Sequence, residues 1–379
     1  MTIPFTTKHT SAPRLWGAVL PFLIILIAGC NPDDTIAPDA INRGEYLAQT
    51  ADNVIIPAYT KFSERSQELS LALNGLVPGD VKSEDVVALR ETLRNTYLAW
   101  QRVQLFDFGP AVNRAFLSTT NTYPTDPDEI AEAATAANWN GGLPSTLNSS
   151  GLPALDWLLF AEDASATATT WNDETNGRLL HAQRLASYMS EEAAAVLSGW
   201  TEGYRDVFVA STGTEAGSSM GELLNAFNRV YEGHIRKNKL GLPNGAMTFS
   251  GNPQPNLVEA PFAENWSVDL LAEALEGCAK VYFGDDSKGA TDALGLDDLL
   301  NSLGDVSYGE GLHSDISAQL VSAQIAVASM EDPLASYVVD QQAASVEAYA
   351  ELQALVVLWK VDMMSSLGVL ITYQDNDGD

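Results

Sequence analysis

The stretch RLLHAQRLASYMSEEAAAVLSGWTEGYRDVF, residues 178–208, decides the fold class. Its apolar residues Leu185, Tyr188, Met189, Val196, Trp200, Tyr204 and Phe208 return mostly at steps of three, four or seven, which gathers them on one face of an α-helix. A helix over the whole run is about 45 Å long at about 1.5 Å per residue. Working outward, the same periodicity predicts a helix from about Val86 to Phe106 and another from Ser267 to Tyr282. In the latter, Ser267 can cap and Asp269 suits the positive helix end. Residues 345–370 carry Leu355, Val356, Val357, Leu358, Trp359, Val361, Met363 and Met364 in close succession. With Lys360 and Asp362 inside it, that run predicts a buried central helix rather than a membrane span. No strand alternation is sustained, so the pattern predicts an all-α fold of helical bundles.

Polar segments at 119–150, 161–173, 209–220 and 241–266, rich in Thr, Ser, Asn, Gly and Pro, read as loops between these helices. The run from Ala210 to Ser219 is the best place for a hinge between two halves, about 41–210 and 221–375. A faint internal echo supports two related halves: Leu93, Trp100 and Gly109 recur at the spacing of Leu352, Trp359 and Gly368. The seam between two such halves is a natural place for a ligand site.

The chain begins with a short basic segment carrying Lys8 and Arg14, followed by the apolar run 15–30 that ends Ile27-Ala28-Gly29-Cys30. That is the pattern of a lipoprotein signal peptide over 1–29, with Cys30 as the lipidated N-terminus. Asn31, in place of the Asp that retains lipoproteins at the inner membrane, points to the outer membrane of a Gram-negative bacterium, facing the periplasm. Residues 31–40 are polar and carry prolines, so with Cys30 they form a flexible tether. Contact with the membrane is then through the N-terminal lipid only.

The 379 residues are 46% apolar, and loss of the signal leaves about 350, enough for a large core. The net charge is −30, and it becomes −32 when Lys8 and Arg14 leave with the signal. Such a surface repels nucleic acid and anionic bilayers. Cys278 is the only cysteine besides Cys30, which leaves no intramolecular disulfide to form in the mature chain. On the apolar stripe with Leu271, Ala274 and Leu275 it reads as a small buried hydrophobe. The terminal Asp375-Asn376-Asp377-Gly378-Asp379 imitates the start of a calcium loop but ends before the bidentate Glu, so it reads as an acidic tail.

Known catalytic signatures are missing: no His-Glu-x-x-His, no phosphate-binding Gly-rich loop, no Gly-x-Ser-x-Gly elbow and no metal-spaced Cys pair. The mature chain holds three histidines, His181, His234 and His313, too few for a site built mainly of imidazoles. Carboxylates for a hard cation are the more available chemistry. Two segments stand out. Gly151-Leu152-Pro153-Ala154-Leu155-Asp156-Trp157-Leu158-Leu159-Phe160 puts one acid early in an otherwise apolar helix. The second, from Glu232 through His234, Arg236, Lys237 and Lys239 to Gly241, is the cationic end of a helix. Both have plain explanations in the helix dipole, and His234 continues the apolar stripe of Phe227, Val230 and Tyr231.

These two segments resemble the imelysin-like family of bacterial envelope proteins. So do the lipobox, the run from Trp100 to Pro110 ending Phe106-Asp107-Phe108-Gly109-Pro110, and Val258-Glu259-Ala260-Pro261-Phe262. The resemblance covers about residues 41–375. It implies an exported, all-helical protein of two bundle-like halves with a site between them. It also implies an association with iron regulation or uptake, and some members are classed as metallopeptidases. The family marker is Gly-x-His-x-x-Glu, and the matching residues are Gly151, Pro153 and Asp156, so the position of the imidazole holds a side chain that neither ligates nor moves a proton. A metallopeptidase needs an activated metal-bound water, which this exchange disfavours. Binding of iron, or of an iron-containing ligand, without catalysis survives it more easily. Metal or ligand candidates are Asp156, Asp107 and His234, and Trp100, Arg236 and Glu232 are pocket candidates. Other iron-uptake proteins of the envelope are the expected partners. The alternatives are an imelysin-type metallopeptidase and a structural or partner-binding lipoprotein.

Overall fold

Helix follows helix through the computed structural model, which describes residues 42–286, 293–304 and 309–373. The lipobox with Cys30, the tether and the acidic tail lie outside the described residues. The helices before the 211–218 connection are α1 (Arg43–Thr50), α2 (Ile56–Asn74), α3 (Ser83–Val103), α4 (Phe116–Asn121), α5 (Pro127–Thr135), α6 (Gly151–Phe160), α7 (Ala164–Trp171), α8 (Arg178–Gly199) and α9 (Arg205–Ala210). After it come α10 (Ser219–Val230), α11 (Ser267–Phe283), α12 (Leu296–Ser302), α13 (Gly309–Ala328), α14 (Leu334–Asp340), α15 (Gln342–Val356) and α16 (Met364–Ser366). No strand occurs among the described residues, in agreement with the all-α expectation.

The helices are layered in series. α8 packs on α2, α2 on α3, α3 on α11, α11 on α13, and α13 on α15, which closes against the segment 231–241. The α3–α11 contact therefore joins the residues before the 211–218 connection to those after it. Gly277 permits it: a Cβ there would sit 3.3 Å from the Gln101 carbonyl and 3.4 Å from the Arg102 Cα.

The long 178–208 run is helical but not uniform. α8 passes at Trp200 into a π-helical turn, Trp200–Tyr204, where Gly203 leaves helical dihedrals, and continues as α9. Among the described residues, three further π-helical segments are Ala51–Ile55, Tyr231–Gly241 and Val357–Met363. Such i→i+5 stretches are uncommon and concentrate at functional places.

Two expectations need correction. Segments 119–150 and 161–173 are not simply loops, since they contain α5 and α7. Asp126 caps α5 by accepting from the Asp128 and Glu129 N–H groups, at 2.9 and 3.2 Å, with Pro127 at the first helical position. Asp163 caps α7 in the same way. Good caps sustain short helices whose polar composition alone reads as loop. The 345–370 run is also not buried on all sides: Leu352, Leu355, Trp359 and Met363 face the core, whereas Val357 and Val361 are half exposed.

The echoed residues have comparable surroundings. Trp100 packs on Phe62 and Phe116, with ring centroids 5.3 and 5.6 Å apart. Trp359 packs on Phe227 and Tyr231, at 5.0 and 4.7 Å. Gly109 and Gly368, nine residues beyond each indole, both adopt positive φ, +54° and +68°.

Candidate functional site

Four separate segments meet around the early part of α6. Gly151 opens that helix at φ +69°, and a Cβ there would lie 2.2 Å from the Thr120 carbonyl oxygen, so only glycine lets α6 start this close to the end of α4. Pro153 follows in the first turn, where no N–H is needed, and is buried. Asp156 lies beyond that first turn, so the dipole of its own helix does not explain it. Its carboxylate is fully buried and accepts the Ala263 N–H at 3.0 Å and the Phe262 N–H at 3.1 Å. The loop delivering those donors turns at Ala260, a buried non-glycine residue held at φ +52°.

Next to Asp156 stands Glu259, 1% exposed. It accepts Asn121 Nδ2 at 2.7 Å and Gln101 Nε2 at 3.2 Å, and it is paired with the ammonium of Lys239, itself 2% exposed. Gln104 Nε2 donates in turn to Gln101 Oε1 at 2.6 Å, and Ser267 Oγ donates to the Glu259 carbonyl at 2.5 Å. Burial pushes the Asp156 carboxyl up to about 7, Glu259 adds to the rise, and the two N–H bonds oppose it. Burial pushes Lys239 down, against the pull of Glu259. Three buried polar atoms beside this network have no hydrogen-bond partner among the described residues: the hydroxyls of Tyr97 and Tyr123, and Asn121 Oδ1. Both phenols are raised well above their ordinary value, by burial first and then by the nearby carboxylates, so they stay protonated.

Lys239 and His234 belong to the π-helical segment 231–241, and Arg229 to the end of α10 just before it. The charges of Arg229 and Lys239 both act on His234. Arg229 Nη2 binds Asp107, 2.6 Å to Oδ2 and 3.2 Å to the carbonyl, at one end of the row; Lys239 binds Glu259 at the other. His234 lies between them, its imidazole lowered to about 4 by burial, then by Arg229 and Lys239, and so neutral at pH 7.

The remaining candidates are elsewhere. Glu232 is buried against Lys360, 2.9 Å away, and the Tyr373 hydroxyl. Arg236 is buried over the Tyr349 ring and donates to that hydroxyl at 2.9 Å and to Gln353. Trp100 is an aromatic core residue. Asp156 thus keeps company with Glu259 and Lys239, Asp107 and His234 share the Arg229 row, and Glu232 and Arg236 belong to a separate set of contacts with the C-terminal helices. Reading the sequence by segment missed Glu259, Lys239, Gln101, Asn121 and the two tyrosines. Glu259 lies inside the Val258–Phe262 stretch, and in sequence Lys239 is indistinguishable from an ordinary cation at a helix end.

The donor set does not fit a directly ligated ion at this centre. Among the described residues no three His, Cys, Asp or Glu side chains converge as a metal site. Asp156 is satisfied by backbone N–H groups, and Glu259 already has a cation beside it. What the centre offers is a nearly neutral, buried, hydrogen-bonding core with three polar atoms to spare.

The comparisons with known proteins agree with this architecture. A model of the imelysin family matches residues 55–358, a span that includes every segment meeting at the Asp156 centre. Iron-regulated protein A of Synechococcus elongatus is 24% identical over 183 residues, 47% of this chain and 47% of that protein, so the match spans about half of the relative's length. The crystal structure of an imelysin-like protein from Psychrobacter arcticum shares the fold, with a TM-score of 0.64 at 19% identity over 87% of this chain and 97% of the other. A structure from Parabacteroides distasonis, described as an iron-regulated protein A precursor, has a TM-score of 0.69 at 16% identity, with the same coverage. By the extent of the family match, the chain belongs to the imelysin family.

Proposed function

We propose that this chain is an iron-related envelope lipoprotein, anchored through Cys30 at the outer membrane and facing the periplasm, that binds an iron-containing ligand in iron acquisition without turning it over. Support comes from the lipobox, from relatives described as iron-regulated protein A, one of them as a precursor, and above all from the Asp156 centre. There Pro153 removes the imidazole, while backbone N–H groups and Lys239 take up the carboxylates. A site so engaged favours holding a chelate by hydrogen bonds over activating a metal-bound water.

The test is titration of the chain lacking residues 1–30 with ferrous iron and with ferric citrate. Saturable binding of the ferric chelate near one equivalent is expected. Binding of neither form would end the iron reading and leave a partner-binding lipoprotein, for which other iron-uptake proteins of the envelope are the partners to try. One observation favours a second reading, an imelysin-type metallopeptidase: a carboxyl raised to about 7 beside unpaired phenols is suited to moving protons. Chelator-sensitive cleavage of an unfolded substrate would establish it.

A further inference from the structure

A cavity of about 460 Å³ opens away from the Asp156 centre, where α3 forms a floor between α2 and α11. The floor and near wall are apolar and short, with Ala58, Leu98 and Ala99 leaving the space. Its rim collects Lys61 and Arg65 from α2, Arg102 from α3 and Lys280 from α11, together with the carboxylates of Glu273 and Glu276 on α11 and Asp286 just beyond it. Four cations against three carboxylates make this cavity net positive, in a chain with 20 Lys and Arg against 50 Asp and Glu.

The cations are not equally engaged. Arg102 Nε binds Glu273 at 2.6 Å, while Arg102 Nη1 and Lys280 Nζ both turn to one group, the carboxylate of Asp286, at 2.9 and 2.8 Å. Asp286 comes from just beyond the end of α11 and lines the cavity with a side chain that is 65% exposed, so it is held there by its two cations rather than by burial. Arg65 pairs only with the exposed Glu68 on its own helix, and Lys61 makes no ion pair among the described residues. One pair of cations thus already grips a carboxylate, and a second pair on the facing helix has room for another. A guanidinium fork matches the planar carboxylate in particular.

We propose that this cavity is a binding site for a small organic polycarboxylate, one carboxylate replacing that of Asp286 on Arg102 and Lys280 and another reaching Lys61 and Arg65. Asp286 is then an internal competitor that occupies the site when the ligand is absent. The volume is in the range of small-molecule sites, and the apolar floor suits the carbon skeleton between the charged ends. The proposal is independent of the iron reading, because it concerns the metal-free acid.

The experiment is calorimetric titration of the full chain, in metal-stripped buffer, with citrate and tricarballylate, and with acetate and inorganic phosphate as controls. Saturable binding of both tricarboxylates near one equivalent is expected, weakening as salt is raised. Lys61→Ala with Arg65→Ala should weaken it about tenfold, the size of two partly exposed ion pairs. Asp286→Asn should tighten it severalfold by removing the competitor. Melting curves of each variant separate loss of binding from loss of fold. Phosphate binding as tightly as citrate would overturn the carboxylate assignment. Citrate binding unchanged in both variants would overturn the location, and no binding to the Asp286→Asn chain would overturn the site itself. Ferric citrate in the same cell reads the iron proposal separately, since either result there leaves the metal-free titration standing.

Discussion

At the scale of single residues, the protein sets buried acids against buried bases. Asp156 and Asp297 are raised to about 7, so between pH 4 and 7 the folded state holds protons that the unfolded chain releases, and each lowers stability as pH rises. His181 and His234 are lowered to about 4, so between pH 4 and 6.5 the unfolded chain holds their protons, and each raises stability as pH rises. The two effects oppose one another over the same window. Replacing Asp156 with Asn removes one of the falling contributions, so stability measured by urea unfolding should climb more steeply from pH 4 to 6.5 in that variant than in the parent. An equal or shallower climb would mean that Asp156 is ionised across the window. A second residue-scale prediction concerns Gly151→Ala. With φ at +69° and the Thr120 carbonyl 2.2 Å from the new methyl, it should cost about 3 kcal/mol or more, read in the same urea experiment.

At the scale of elements, the helices that packing dominates were legible and the ones that caps dominate were not. The periodicities of 178–208, 86–106 and 267–282 correspond to α8 with its continuation, α3 and α11, because a long apolar stripe reports its own burial. α5 and α7 escaped because one Asp and a few backbone N–H groups hold their first turns, a signal two or three residues long. The π-helical segments were invisible, since the shift from i→i+4 to i→i+5 leaves no compositional trace. The row Arg229, His234, Lys239, spaced by five, matches no regular α-helical face and so leaves no pattern to read. The C-terminal run also shows how packing outweighs hydropathy. Trp359→Ala, which strips an indole from between Phe227 and Tyr231, should cost about 3–5 kcal/mol. Val361→Ala, on the half-exposed side of the same segment, should stay within about 0.5 kcal/mol. Thermal unfolding of the pair checks the difference, and similar costs would mean that the Val361 face is covered in solution.

For the whole molecule, the series of helix contacts through α3 and α11 ties residues on both sides of the 211–218 connection into one packing arrangement. Cys278 lies on α11 fully buried, its thiol pushed far above the ordinary range by that burial. In a chain carrying Cys30→Ser, its labelling by a thiol reagent should therefore proceed at the rate of global opening and follow denaturant as the fluorescence transition does. Faster labelling under native conditions would reveal that α11 opens alone. The overall plan was readable because a bundle is written in stripes. The centre was only half readable because its members, Gln101, Asn121, Asp156, Lys239 and Glu259, are brought together from five places that no local pattern connects.

That dispersal bears on how the protein is made. Asp156 obtains its donors from Phe262 and Ala263, and Lys239 and Gln101 obtain their acceptor from Glu259, all more than a hundred residues away except for Lys239, which waits twenty. Before residues 262 and 263 are in place, Asp156 lacks the two N–H groups that satisfy its carboxylate in the folded protein. The first half is then poorly suited to settle early, since an uncompensated buried carboxylate opposes its closure. A chain truncated before the 258–264 loop is therefore expected to close poorly around Asp156 and to be cut by protease faster than the full chain.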